Sequence, residues 1–255
     1  MAMNIGGEKH GKKARRRVLS YLILLVLAPA TVWLAWKFGD RKFYITSVLL
    51  IVYAMLPFFF VFEHKRPQAR ELVVLAVLCA IAVASRGAFV WAANFKPMAA
   101  VIMIAGLAAG PQTGFLVGSV AALASNFIFG QGPWTPWQML AFGVAGLVAG
   151  LLADARVFPR ANLSWPRRIA LATVGLVLIV GLVGPILDTS TFFYLSTAPT
   201  PELAAVVYLA GLPVNAIHGA ATALTLLVVA NPLLDQLARV RVKYGLLDRS
   251  RPNCP

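Results

Sequence analysis

The chain has 255 residues, of which 60% are hydrophobic and 13% charged, and its formal net charge is +14. Apolar runs of about 18–22 residues recur along it, which is the length that crosses a bilayer as an α-helix. The pattern predicts an all-α integral membrane protein rather than a membrane β-barrel. The Lys and Arg residues cluster at the ends of the apolar runs, as membrane topology requires, so we predict no nucleic-acid partner.

Two apolar spans, at about 18–37 and 43–62, come first. The first follows the basic run Lys12–Arg17 and has no small-residue cleavage site after it. It is therefore predicted to be a retained signal-anchor helix rather than a cleaved signal peptide.

Six further spans are predicted in the rest of the chain, at about 70–91, 97–110, 113–129, 136–153, 168–187 and 203–230. Within the long apolar tract 97–129, Gly110 and Pro111 predict a break between two shorter helices. Lys and Arg are concentrated in the segments that share a side with both termini, which predicts that both termini are cytoplasmic. The stretches 129–138 and 188–202 are then predicted to be loops on the outer face.

The predicted outer loop 129–138 is unusually rich in Trp, Gln, Gly and Pro. Trp134 and Trp137 offer stacking faces, and Gln131 and Gln138 offer amide hydrogen bonds. This composition fits a ligand-binding loop, and it equally fits an interfacial aromatic belt.

Polar residues inside the spans are a second signal, because they are costly in hydrocarbon unless they are paired. Arg86, near the outer end of its span, either snorkels to the surface or binds an anionic or amide-rich ligand. Asn215 and His218 lie on one helix face and suit a helix–helix hydrogen bond or a proton relay; with no second His or Cys at ligand spacing, we predict no metal site. Further aromatic and amide side chains gather near the outer face: Phe89, Trp91, Asn94 and Asn126.

Ala76, Ala80 and Ala84 recur every four residues in the third span, so they share one helix face. Small residues allow another helix to approach closely, and that helix could belong to a partner subunit or to this same bundle.

Sequence motifs for catalysis are missing. There is no His-Glu-x-x-His, no Gly-x-Ser-x-Gly and no acidic cluster for phosphoryl transfer. Asp154 and Asp188 are predicted on opposite sides of the membrane and cannot act together as acid and base. We therefore predict that the protein is not an enzyme and has no cofactor.

From about residue 70 to 245 the chain resembles the substrate-binding S component of an energy-coupling factor (ECF) vitamin transporter, and it is most similar to the members associated with cobalamin uptake. The resemblance rests on the alanine repeat, on Phe95-Lys96-Pro97, on Gly110–Gly118 and on Ser125–Gln138. It continues more weakly through Leu212–His218 and Arg239–Gly245.

The resemblance implies a protein of the bacterial inner (plasma) membrane that captures a vitamin at its outer face, with cobalamin as the first candidate. A T component and two cytoplasmic ATPases would then drive import, with the T component docking on the Ala76, Ala80 and Ala84 face. It also implies three regions: residues 1–69 with a basic N-terminus and two additional helices, a six-helix core at 70–235, and a basic cytoplasmic tail at 236–255. Riboflavin and folate remain alternative vitamins.

Two other function classes stay open from the residues: a membrane enzyme acting on lipid or isoprenoid substrates, and a packing subunit with no ligand. On the transporter reading, the candidate substrate-binding residues are Arg86, Phe89, Trp91, Asn94, Asn126, Gln131, Trp134, Trp137, Gln138, Asn215 and His218.

Overall fold

A computed structural model describes residues 26, 28–38, 46, 48–53, 56, 69–195 and 200–244. The described residues form helices and contain no strand, which confirms the predicted all-α class. The structure describes only parts of the two predicted N-terminal spans. Their described parts are helix α1, Ala28–Phe38, and a helical stretch at 48–53.

The later helices form the core of the molecule. Their bounds are α2 Ala69–Ala88, α3 Met98–Ala109, α4 Pro111–Phe129, α5 Thr135–Asp154, α6 Trp165–Leu178, α7 Gly184–Leu195 and α8 Pro201–Tyr244. A π-helical turn, Ile179–Val183, joins α6 to α7, so Trp165–Leu195 is one membrane-capable stretch. Five helical stretches of the described chain are long and apolar enough to cross a membrane, and α3 is a shorter apolar helix. The protein is thus a multi-pass membrane protein.

The predicted break at Gly110 is confirmed. Gly110 has a φ of 96°, in the region that favours glycine, and Pro111 begins α4. Pro suits the first helical turn because the N–H groups there have no partner within the helix.

Three predicted boundaries are wrong. Thr135–Gln138 is the first turn of α5 and not loop, since Pro136 is tolerated at a helix start. Asp188 lies in α7 and not in an outer loop, because the polar run there is satisfied inside the helix: Thr189 Oγ1 donates to Pro185 O at 2.7 Å. Helix α8 also continues past residue 230 to Tyr244; its 44 residues extend about 66 Å at 1.5 Å per residue.

Helices α3, α4 and α5 pack backbone against backbone at the centre. A Cβ atom added to Gly146 of α5 would lie 2.2 Å from the carbonyl oxygen of Gly114 in α4. One added to Gly106 of α3 would lie 2.1 Å from the carbonyl oxygen of Gly146. Such approach maximises van der Waals contact, which drives helix association where water is absent. Among the five membrane-capable stretches α5 is accordingly the most enclosed, with 78% of its residues buried, whereas only 17% of the residues of α2 are buried, and α2 lies at the periphery.

Helix α3 has only 12 residues, or about 18 Å, which is too short to cross a hydrocarbon core of about 30 Å. The α2–α3 loop, residues 89–97, precedes it, and the main chain of Lys96 lies against His218, well inside α8. Non-helical backbone is tolerated at membrane depth when protein surrounds it. Local turn hydrogen bonds, such as Phe95 N to Ala92 O at 3.1 Å, satisfy part of this backbone.

The glycine contact generates a stability prediction. We expect Gly146→Ala to lower the free energy of unfolding by at least about 1–3 kcal/mol, because the methyl group meets main-chain atoms that have no rotamer to change. Thermal unfolding in detergent measures the effect. Gly181→Ala is the matched control, since nothing lies within 4 Å of its added Cβ. Equal stability of the two variants would contradict the backbone contact.

Candidate functional site

A buried hydrogen-bond network joins α2, α4 and α5 at the end of the bundle that is predicted to face outward, called the outer end below. Arg86 Nη1 donates to Ser125 Oγ at 2.6 Å and to Asn126 Oδ1 at 3.0 Å. Asn126 Nδ2 in turn donates to Thr135 Oγ1 at 3.0 Å and to Gln138 Oε1 at 2.8 Å. Three of the predicted site residues, Arg86, Asn126 and Gln138, are therefore brought together.

The short α4–α5 loop is fastened to the same network. Thr135 Oγ1 donates to Gln131 Oε1 at 2.8 Å, and the main-chain N–H of Gly132 donates to Thr135 Oγ1 at 3.3 Å. Gln131 Nε2 donates to Leu123 O at 3.2 Å. The Gln131 side chain thus stabilises its own loop. Sequence reasoning missed Ser125 and Thr135 because a lone hydroxyl in a membrane span carries no distinctive signal.

Arg86 directs its charge into the bundle. Its side chain is half-buried, and its guanidinium carbon lies 4.7 Å from the centre of the Phe129 ring. Both of its hydrogen-bond acceptors are neutral, and in the part of the chain that the structure describes it pairs with no carboxylate. The hydrogen bonds hold the guanidinium against α4, which favours a place within the polar network over snorkelling to the surface.

Lys96, a second basic residue, was not among the predicted site residues. Its side chain is half-buried in the α2–α3 loop, and it makes no hydrogen bond or ion pair with any described residue. Its signal in the sequence was its place in Phe95-Lys96-Pro97, a basic residue on the side that Lys and Arg otherwise avoid.

Two buried ring nitrogens lack a hydrogen-bond partner among the described residues. His218 is 7% exposed and packs against Phe142 at a ring distance of 5.9 Å, and its Nε2 is unpartnered. Trp137 is 1% exposed and stacks on Phe193 at 5.9 Å, and its Nε1 is unpartnered. Because buried polar atoms are normally satisfied, these nitrogens are candidates for bonds to a bound molecule.

Asn215 makes a different contact from the one expected of a site residue. Its Nδ2 donates to Asp188 Oδ2 at 2.7 Å, and its amide packs closely on Gly184. The bond joins α8 to α7, as expected for a helix–helix hydrogen bond inside a membrane protein. No hydrogen bond links Asn215 to the Arg86–Asn126 network among the described residues.

Aromatic side chains surround the outer end. Trp134 lies over Gly132, meets Tyr194 edge-on at 6.1 Å and remains 37% exposed. In the α2–α3 loop, Phe89 packs against Phe95 at 5.0 Å and against Trp91 at 6.0 Å. Phe95 is a further aromatic that sequence reasoning missed.

Two other predicted site residues lie in the same α2–α3 loop with Phe89. Asn94 is half-buried and has a φ of 62°, a turn conformation that Asn tolerates. Trp91 is 79% exposed, and its Nε1 donates to Ala88 O at 3.0 Å.

Ala76, Ala80 and Ala84 are all exposed on the outer surface of α2. Their neighbours Val77 and Ile81 are 51% and 38% exposed. The repeat therefore presents a shallow apolar face outside the bundle rather than an internal helix contact.

Amides, hydroxyls, aromatic rings and two cations can bind a ligand through hydrogen bonds and stacking. They do not form a general acid–base pair, and the described part of the chain has no group of three His, Cys, Asp or Glu side chains that could hold a metal. These groups are therefore suited to recognition of a ligand rather than to catalysis.

The burial of Trp137 generates a second prediction. We expect Trp137→Ala to lower the free energy of unfolding by about 3–5 kcal/mol, because it leaves a large cavity beside Phe193. Trp134→Ala should cost less, since that ring is partly exposed. Chemical unfolding of both variants in detergent measures the difference. A Trp137 variant as stable as the Trp134 variant would contradict the buried position.

Comparison with protein families gives one match. The model of the family described as "ECF-type riboflavin transporter, S component" matches residues 67–239, which is most of the chain. Comparison with curated proteins and with solved structures finds no significant match. Proteins of this family are transport subunits that bind a vitamin and work with a T component and ATPases, and they are not enzymes. The matched segment coincides with the helical core from α2 into α8, so the chain belongs to the family of ECF-type S components.

Proposed function

We propose that this protein binds a flavin, with riboflavin as the parent vitamin, at its outer end and delivers it for ATP-driven import. The observation that carries the proposal is the hydrogen-bonded set of Arg86, Asn126 and Gln138. Two buried ring nitrogens, of His218 and Trp137, that have no partner among the described residues add to it. The family description names riboflavin and supports the same substrate class.

Flavin chemistry suits these side chains. The isoalloxazine ring is flat and apolar on its faces, and one edge carries carbonyl acceptors and an imide N–H donor. Trp137 and Phe193 provide stacked aromatic surface, while the amides of Asn126 and Gln138 both donate and accept. Small-molecule sites commonly combine apolar walls with a few fixed polar groups in this way.

Cobalamin is the second candidate. The loop resemblance indicates it, and the aromatic surface at the outer end supports it, because Trp91 and Trp134 are 79% and 37% exposed. A corrinoid is much larger than a flavin and would use such surface outside the bundle. Flavin binding would use the buried groups together with the ring of Trp134.

A binding experiment distinguishes between the candidate substrates. Small molecules released from the purified full-length protein are identified by mass spectrometry, and riboflavin, cobalamin and folate are then titrated into the emptied protein. We expect saturable quenching of flavin fluorescence and no comparable response to cobalamin. Saturable binding of cobalamin alone would move the proposal to the second candidate, and binding of none would favour a packing subunit.

Trp134 provides the third prediction. We expect Trp134→Ala to weaken riboflavin binding about 5- to 150-fold, since truncation of an aromatic anchor costs roughly 1–3 kcal/mol. Isothermal titration in detergent measures the change. Trp165→Ala is the matched control, because that Trp is 60% exposed at the opposite end of the bundle. Parent-like binding by the Trp134 variant would identify Trp134 as part of an interfacial belt.

The exposed alanine face is proposed as the docking surface for the T component. Ala76, Ala80 and Ala84 offer no side-chain bulk, so a partner helix can approach the α2 backbone closely. The proposal also places both termini in the cytoplasm of a bacterial cell and the ligand site outside, in agreement with the distribution of Lys and Arg.

The fourth prediction concerns this face. We expect Ala80→Trp to reduce uptake into cells by at least tenfold while riboflavin binding to the isolated protein stays within about twofold, because the added ring blocks helix approach. Ala170→Trp, at an exposed alanine of α6, is the control for bulk on a lipid-facing surface. Full uptake by Ala80→Trp at normal expression would rule out this face as the docking surface.

A further inference from the structure

A cavity of about 360 Å³ lies between α2, α3, α8 and the α5–α6 loop, residues 155–164, at the end of the bundle away from the outer end. We call it the inner cavity. Its walls are largely apolar and include Val74 and Leu78 of α2 and Leu237 of α8. Leu78 is 1% exposed, whereas Val242, which also lines the cavity, is 84% exposed. The inner cavity therefore runs from the interior of the bundle to its surface.

Two guanidinium groups line the same cavity, Arg160 from the α5–α6 loop and Arg241 from α8. Arg160 Nη1 donates to Ala108 O at 3.1 Å, a carbonyl in the last turn of α3, and its Nη2 donates to Asp154. These bonds use two of the five N–H donors that an arginine has. None of the described residues that line the cavity is acidic. The cavity thus combines apolar walls with two groups that bind an anion.

The loop that carries Arg160 is fastened to α8. The main-chain N–H of Leu163 donates to Asn231 Oδ1 at 3.0 Å, and Asn231 Nδ2 donates to Leu163 O at 2.9 Å. The main-chain N–H of Asn162 donates to Asp235 Oδ1 at 3.3 Å. Because these bonds fix the loop before any ligand arrives, a ligand of the inner cavity has little ordering entropy to offset.

The inner cavity lies at the level of a membrane surface. Helix α2 has 20 residues and is about 30 Å long, the thickness of a hydrocarbon core, and Val74 is about 8 Å from its start. Trp165 begins α6 directly after the α5–α6 loop and is 60% exposed, and the guanidinium carbon of Arg168 lies 4.9 Å from its ring centre. Exposed Trp beside basic residues is typical of the boundary between acyl chains and headgroups.

The position of the cavity on α2 favours lipid over a partner helix as its occupant. Val74 and Ala76 are two residues apart, which places them roughly 200° apart around the helix. A helix seated on the alanine face therefore does not cover the inner cavity. A phospholipid brings both an acyl chain for the apolar walls and a phosphate for the arginines, and basic pockets between membrane helices on the cytoplasmic side bind anionic lipids.

We propose that the inner cavity binds one anionic phospholipid of the cytoplasmic leaflet. An acyl chain lies along Val74, Leu78 and Leu237, and the phosphate oxygens accept hydrogen bonds from Arg160 and Arg241. This lipid site is at the opposite end of the bundle from the proposed vitamin site, and it goes beyond the proposed function without depending on it.

The test measures which lipid the protein retains. The full-length protein is placed in bilayer discs that contain equal amounts of phosphatidylglycerol and phosphatidylcholine with the same acyl chains. Native mass spectrometry then identifies the lipid that remains bound after release into mild detergent. We expect phosphatidylglycerol to be retained about 5- to 30-fold more often, because each basic group near a membrane surface contributes about fivefold.

Matched variants locate the site. Arg241→Gln should lower the preference about fivefold, whereas Arg241→Lys keeps the charge and should keep the preference. Arg167→Gln makes the same change of charge at an exposed position in the first turn of α6 and should leave the preference within about twofold. Ala238→Phe adds a ring to the cavity wall and should reduce the retention of both lipids, and it also serves if Arg241→Gln does not fold.

Three outcomes would overturn the inference. They are equal retention of the two lipids, an unchanged preference in Arg241→Gln, and an equal loss of preference in Arg167→Gln, which would indicate a general charge effect. Displacement of the lipid by soluble glycerol phosphate would identify a site for free phosphate and would also overturn it. No vitamin enters these measurements, so their failure leaves the flavin proposal standing, and failure of the flavin proposal leaves the lipid site standing.

Discussion

The shortness of α3 is the constraint on which the rest of the outer end depends. A helix of 12 residues leaves part of the membrane crossing to the α2–α3 loop, and irregular backbone survives at that depth only when protein encloses it. Helix α8 provides part of the enclosure, since the main chain of Lys96 lies against His218. The same requirement brings Lys96 against His218 and Phe89 against Phe95, so the loop supplies ligand-capable side chains because it has to be buried.

Close packing of glycine backbones in the middle of the bundle supports the outer end. Gly106, Gly114 and Gly146 allow α3, α4 and α5 to touch along their main chains, which leaves little freedom for these helices to shift. Asn126 and Thr135 then sit at fixed distances at the outer end of the packed helices. The result is a rigid polar network on a rigid support, which is the arrangement that tight recognition without chemistry requires.

The periphery of the bundle has the opposite character. Helix α2 contributes Arg86 to the interior at its outer end, yet most of its length faces outward and carries the alanine repeat. One helix thus connects the proposed ligand site with the proposed partner surface. A helix with both features suits a subunit that holds a ligand and also binds a membrane partner.

The sequence by itself determined the all-α membrane class, the break at Gly110, the absence of catalytic motifs and the family resemblance, because length, hydropathy and local turn chemistry are read along the chain. It also picked out Arg86, Asn126 and Gln138, since polar groups in apolar spans stand out. The sequence did not distinguish between cobalamin, riboflavin and folate, because stacking and amide groups suit several ring systems.

Only the tertiary structure decided which of these residues meet. Trp134 and Trp137 look equivalent in the sequence, but Trp134 precedes α5 and is partly exposed, whereas Trp137 lies in the first turn of α5 and is buried against Phe193. Asn215 and His218 share a helix face, yet they meet different partners. Asn215 donates a hydrogen bond to Asp188, whereas His218 lies against the main chain of Lys96. No local pattern could show that pairing, because each partner comes from another element, and its distance is fixed by how the helices pack.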